Sequence, residues 1–189
     1  METKPNQRIS LTKELVRRAL IRLLKTQPLH KISIRQLCEI AGINRTTFYN
    51  HYGSQYDVLA EIRDGYLKDV AAAIETADPR DRERVWDRVT LVFAYMESNL
   101  EISRLLIQTN IDETFAQRLF SLPQIEELLI QSLKDASPAA RQEMIAFAIY
   151  GSYKLIQDWL AQPNRRSPRE MADLVLTLSS AVCACSLQG

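Results

Sequence analysis

Apolar residues recur three and four positions apart along most of the chain, and no useful stretch alternates apolar with polar, so the pattern predicts an all-helical fold. Val16, Ala19, Leu20, Leu23 and Leu24 set a first helix over about residues 10–26, ended before Pro28. Ile34, Leu37, Cys38 and Ala41 set a short helix with one buried face. Val58, Leu59, Ile62, Tyr66, Val70 and Ile74 set a longer one over about 55–77. Beyond Pro79 the spacing predicts helices near 82–98, 100–109, 111–135 with a break at Pro123, 138–162 and 167–187, about nine in all. Breakers agree: there are seven prolines and five glycines, and none of the prolines falls between residues 29 and 78.

The densest punctuation lies between residues 33 and 52. Ser33 can cap a helix by accepting an otherwise orphan backbone N–H, Gly42 suits a left-handed helix end, and Asn44 can cap the next helix. Only Gly42 and Ile43 remain to make the corner, so the two helices must cross steeply. A small residue is needed at the crossing, which suits Cys38, while Ile43 and Phe48 plug the underside. The outer face of the second helix then carries Arg45, Thr46, Thr47, Tyr49 and His51, donors and aromatics suited to phosphates and base edges. That is the spacing of a DNA-reading helix-turn-helix, although a glycine between short amphipathic helices also occurs in ordinary helical hairpins.

Charge separates the two possibilities. Residues 1–56 hold ten Lys or Arg against three acids, a balance of +7, whereas the rest of the chain carries −6. A net charge of +1 therefore hides a basic head on an acidic body, as expected when one end alone meets a polyanion. The division predicts a DNA-binding domain over 1–54 and a helical regulatory and dimerisation domain over 55–189. The 55–77 helix starts beside the reading surface and runs into the body, which makes it a lever between them.

No enzyme constellation is present. The two histidines, His30 and His51, both lie in the basic head, so no body serine has a base and no metal set or cofactor site forms. Cys183 and Cys185 point to different sides of a helix, and with Cys38 they read as small buried residues rather than a disulfide framework, a thiol sensor staying open. Without a signal peptide or an apolar run of membrane length, the expected compartment is reducing cytoplasm.

The late helices are apolar around much of their girth, so they lie at a chain's centre or form an interface. A two-fold dimer is expected through Tyr153, Ile156, Trp159 and Leu160 of one helix and Leu174, Leu178, Ala181 and Val182 of the next, with Gly151, Ala181 and Ala184 allowing close approach. Two recognition helices related by two-fold symmetry would read a palindrome with half-sites about 34–36 Å apart or a multiple of that. Aromatics and Met between residues 86 and 160 are the candidate walls of a ligand pocket. They are Trp86, Phe93, Tyr95 and Met96 on one helix, Phe115 and Phe120 further on, then Phe147 and Tyr150, with Tyr153 at its edge.

The run Ile34-Arg-Gln-Leu-Cys-Glu-Ile-Ala-Gly-Ile-Asn-Arg-Thr-Thr-Phe-Tyr-Asn-His-Tyr-Gly-Ser-Gln-Tyr-Asp-Val-Leu resembles the signature of the TetR family of bacterial transcriptional regulators, most specifically at Thr47-Phe-Tyr-Asn-His-Tyr. Later, Gly151-Ser-Tyr-Lys-Leu-Ile-Gln-Asp-Trp-Leu and Ser167-Pro-Arg-Glu-Met-Ala are similar to a branch that includes dihydroxyacetone-kinase regulators. The resemblance implies that Arg35, Arg45 and Thr46 reach base edges of double-stranded operator DNA, while Thr47, Tyr49 and His51 hold phosphates and Ser33 gives its hydroxyl or N–H to another. It departs at Gln55, where the family usually has Lys, which implies a slightly shallower salt dependence. The function so implied is a homodimeric repressor released by an unknown small-molecule effector. The alternatives are a ligand-independent DNA-binding protein whose body docks another protein, and an activator or DNA-organising protein.

Overall fold

The computed structural model describes residues 4–74, 82–108, 114–123, 125 and 138–184, without the side chains of 4–7, 82–85, 138–141 and 182–184. Among the described residues there are nine α-helices and no strand, which upholds the all-helical expectation. They are α1 (Lys4–Leu24), α2 (Ile34–Ala41), α3 (Arg45–Tyr49), α4 (Gln55–Ile74), α5 (Arg82–Ser98), α6 (Leu100–Gln108), α7 (Phe115–Phe120), α8 (Pro138–Ala161) and α9 (Pro168–Ala184). α1 begins well before residue 10 because its first turns carry no apolar stripe, so the pattern that marks the rest of the helix is silent there. Of the expected 111–135 helix, α7 is described, whereas 111–113, 124 and 126–135 lie outside the described residues.

The chain divides into two compact units, Met1–Tyr66 and Leu67–Gly189. The boundary between these packing units lies within α4. The cause is burial: Val58, Leu59, Ile62 and Tyr66 close the core of the first unit together with Val16, Leu20, Leu37 and Phe48.

In the first unit, α1 ends at Leu23 and Leu24, where the N–H groups of Thr26 and Gln27 both turn back to the Leu23 carbonyl. A 3-10 turn (Leu29–Lys31) follows Pro28, and the buried Ile32 leads to the first cap. Ser33 Oγ accepts from Gln36 N at 3.2 Å while Gln36 Oε1 accepts from Ser33 N at 2.9 Å, a reciprocal capping box. α2 ends on Gly42 at φ +67°, with the Ile43 N–H on the Cys38 carbonyl at 3.1 Å. Asn44 Oδ1 then accepts from Thr47 N at 2.7 Å and opens α3. After α3, Asp57 Oδ2 accepts from both Gly53 N (2.8 Å) and Ser54 N (3.0 Å), and so fixes the chain where α4 begins.

In the second unit, α9 packs along α5 and against α8, and α8 against α6. The core holds Phe93, Met96, Leu106, Ile107, Phe115, Leu119, Trp159, Leu160 and Met171. Trp159 is its organiser. Its ring meets Phe93 edge-on at 5.3 Å, its Nε1 donates to the Arg166 carbonyl at 2.7 Å, and Arg165, paired with Glu97, lies over its face. The C-terminal end of α6 is satisfied from α8: Tyr153 Oη and Gln157 Nε2 both donate to the Ile107 carbonyl, at 3.0 and 2.9 Å. A second capping box, between Ser167 and Glu170, starts α9. No helix among the described residues is long and apolar enough to cross a membrane.

Candidate nucleic-acid interface

The caps at Ser33, Gly42 and Asn44 fix α2 and α3 around a two-residue corner, and Phe48, fully buried, anchors α3 from beneath. Tyr49 is held edge-on to Phe48 at 5.6 Å yet is 57% exposed, so its hydroxyl is presented outward on a fixed ring. Arg45 and Thr46 are exposed at the start of α3, while Thr47 and His51 are half-buried. Five of the seven sequence-predicted reading residues thus follow one another on or beside α3. Arg35 stands exposed in the first turn of α2. Ser33 is different. Its N–H and its hydroxyl both donate to Gln36 Oε1, and its Oγ takes the Gln36 N–H, so the groups expected to face a phosphate are used within the cap.

Much of the basic surplus is compensated locally. Lys13 pairs with Glu61 at 2.8 Å, Arg17 with Glu14 at 2.8 Å and with Glu61 at 3.6 Å, and Arg18 with Glu14 at 2.7 Å. Burial disfavours the Glu14 carboxylate, but the Arg18 hydrogen bond and the charge and hydrogen bond of Arg17 outweigh it and hold the carboxyl below its ordinary range. Arg35 Nε is bonded to Glu39 Oε1 at 2.7 Å, and that bond raises the guanidinium pKa further. No carboxylate among the described residues pairs with Arg45; its charge acts on buried Cys38, where it partly offsets the rise that burial causes in the thiol pKa. Tyr52, behind α3, is buried, and burial foremost, then the charge of the Glu61 carboxylate and a hydrogen bond to it, pushes its pKa up. The Arg35–Glu39 pair was not singled out from sequence, although the four-residue spacing of opposite charges was there to see.

The body residues assort less simply. Phe93, Met96 and Phe115 are buried, and Trp86, Tyr95 and Phe120 half-buried, but Phe147 and Tyr150 are 65% and 72% exposed. These last two point away from the core, so the eight expected wall residues do not converge on one interior. Of the residues expected at an interface, Ile156, Trp159 and Leu160 are 6%, 2% and 0% exposed in the single chain, filled in by α5, α6 and their own loop, and Tyr153 bonds the end of α6. What stays open is a stripe on α8 through Phe147, Tyr150, Gly151, Lys154 and Asp158, and on α9 Leu178 and Ala181, with Leu174 half-buried. The side chains of Val182 and Cys183, and Cys185 entirely, lie outside the described residues.

Residues 86–181, more than half the chain, match the TetR family's model of the transcriptional regulator C-terminal region. The chain belongs to the TetR family of transcriptional regulators. Two solved structures share its fold over nearly the whole length. A TetR transcriptional regulator from Streptococcus agalactiae 2603V superposes with TM-score 0.70 at 20% identity, covering 93% of this chain and 97% of that one. The dihydroxyacetone kinase operon activator DhaS gives 0.60 at 18%, covering 92% and 96%. No curated protein sequence matches the chain. Family membership gives the basic head its partner class, DNA, and makes this TetR-family chain a transcriptional regulator; among the described residues no cluster of metal-ligating side chains occurs.

Proposed function

We propose that this TetR-family chain is a homodimeric, sequence-specific repressor acting in the bacterial cytoplasm on a palindromic operator. The observation that carries it is the capped corner with Arg45 and Thr46 exposed and Tyr49 held outward on a buried base. Arg45 is suited to two N–H bonds with guanine, worth about 1–3 kcal/mol of discrimination, whereas Tyr49, Thr47 and His51 suit phosphates and set register. The functional division is a reading head over 1–54 and a regulatory, dimer-forming body from 55 onward, of which α4 is the first helix.

The dimer forms through the open stripes of α8 and α9, where large apolar side chains are otherwise left in water. An effector bound in the body releases the operator only to the extent that it binds a DNA-incompetent arrangement more tightly. An activating role is the second reading, favoured by the likeness of fold to an operon activator.

The test is selection of genomic fragments by the purified protein at near-physiological salt, with Arg45→Ala in parallel. A short palindrome recovered by the parent and lost by the variant is expected; recovery of salt-sensitive bulk DNA alone would sink the sequence-specific reading and favour a body that docks another protein. A reporter behind the recovered site then separates repression from activation by the sign of the response to deleting the protein.

A further inference from the structure

The two arginines with which α2 and α3 meet DNA are unlike. Arg45 is exposed and paired with no carboxylate among the described residues. Arg35 is neutralised by its own helix: Glu39, one turn on, accepts from its Nε at 2.7 Å, with 72% and 59% of the two side chains exposed. Nothing in the core forces that pairing. In water such a pair is worth only about a factor of two in an equilibrium, so it opens readily when something better is offered.

A phosphate offers little that is better. It would meet the Glu39 carboxylate along with the guanidinium, so it gains from Arg35 only net of that like charge, although only Nε is engaged. A guanine edge presents two neutral acceptors in the plane of the fork and meets less of that repulsion. The geometry points to Glu39 as a positioning residue for specificity: it keeps Arg35 on the surface of α2, closed on non-matching DNA and released to a matching base edge. This rests on the reading of α2 and α3 as the DNA-reading pair. On non-matching DNA, then, Arg35 should displace no counterion, and the background affinity of the head is lower than its count of arginines implies.

The test compares salt titrations of full-length protein on two duplexes of equal length, one enriched by the protein from random sequence and one a scrambled copy. On the scrambled duplex, Glu39→Gln is expected to steepen the slope of log K against log salt by about 0.9, the value of one added phosphate contact, and to tighten binding about two- to fivefold. On the enriched duplex the slope stays as in the parent. In an Arg35→Ala background, Glu39→Gln should leave both slopes alone, a result that simple removal of a negative charge would not give. Equal slope changes on both duplexes, or a change that persists without Arg35, overturn the inference. If the parent enriches a sequence and Glu39→Gln is indistinguishable from it, this inference alone fails; if random sequence yields no enrichment and Arg45→Ala binds like the parent, the reading of the α2–α3 face fails and takes this with it.

Discussion

At the scale of single residues, the corner between α2 and α3 depends on one dihedral angle. Gly42 sits at φ +67°, and a Cβ built there meets nothing within 4 Å, so substitution costs backbone strain and no steric repacking. Gly42→Ala should therefore lose roughly 1 kcal/mol, and Gly42→Asn distinctly less because Asn tolerates the left-handed region. Urea midpoints would show it; Ala and Asn variants equal to the parent would mean that the corner does not hold this angle in solution. Cys38, Gly42 and Asn44 were legible in the sequence because their tasks are local: a small side chain, a positive φ and a cap each concern neighbours within five positions. Ser33 was legible as a cap, but the return hydrogen bonds of Gln36, which draw on the same N–H and hydroxyl, were not.

At the scale of elements, helix placement followed from the 3.6-residue rhythm, and its failures have one cause. Where a helix has no buried face to mark it, as in the first turns of α1, or where the rhythm does not say what does the burying, as on α8, periodicity alone cannot decide. The α1–α4 contact of the head is an electrostatic example, since nothing local announces that Glu61 meets Lys13 and Arg17 from another helix. Within α1, Glu14 ties Arg17 and Arg18 and has its pKa held down, so its contribution to stability is present above the unfolded value of about 4.3 and is lost as pH falls through the lower folded value. Glu14→Gln should thus be less stable than the parent near neutrality, with the gap closing as the pH falls through roughly 5 to 3. Unfolding midpoints across that range check the sign, and a gap that widened on acidification would contradict the assignment. Glu14 and Arg17 are partly exposed and Arg18 mostly so, so the effect is a modest slope, further weakened by salt.

At the scale of the whole molecule, the distinction that matters is between apolar residues a chain buries for itself and those it leaves for a second copy. Ile156, Trp159 and Leu160 repeat at helical spacing as persuasively as any interface, yet α5, α6 and the loop to α9 cover them within one chain. Phe147 and Tyr150, three positions apart on the same helix, are left in water, and Gly151 beside them has open space where a Cβ would stand. A folded monomer gains nothing from two exposed aromatics on one face, whereas a two-fold neighbour would bury both twice over. Two substitutions therefore separate the roles. Trp159→Asp puts a charge where Phe93 and the Arg166 carbonyl now satisfy an indole, and the body should lose its cooperative unfolding altogether. Phe147→Asp should keep helicity and thermal unfolding at low protein concentration while weakening self-association by about tenfold or more, equivalent to about 1.4 kcal/mol at the interface. Sedimentation over a concentration series, read beside circular dichroism, measures both. Operator binding should fall with the dimer, because a single five-residue recognition helix reads only one half-site, and a Phe147→Asp protein that still assembled as the parent does would place the interface elsewhere on the body.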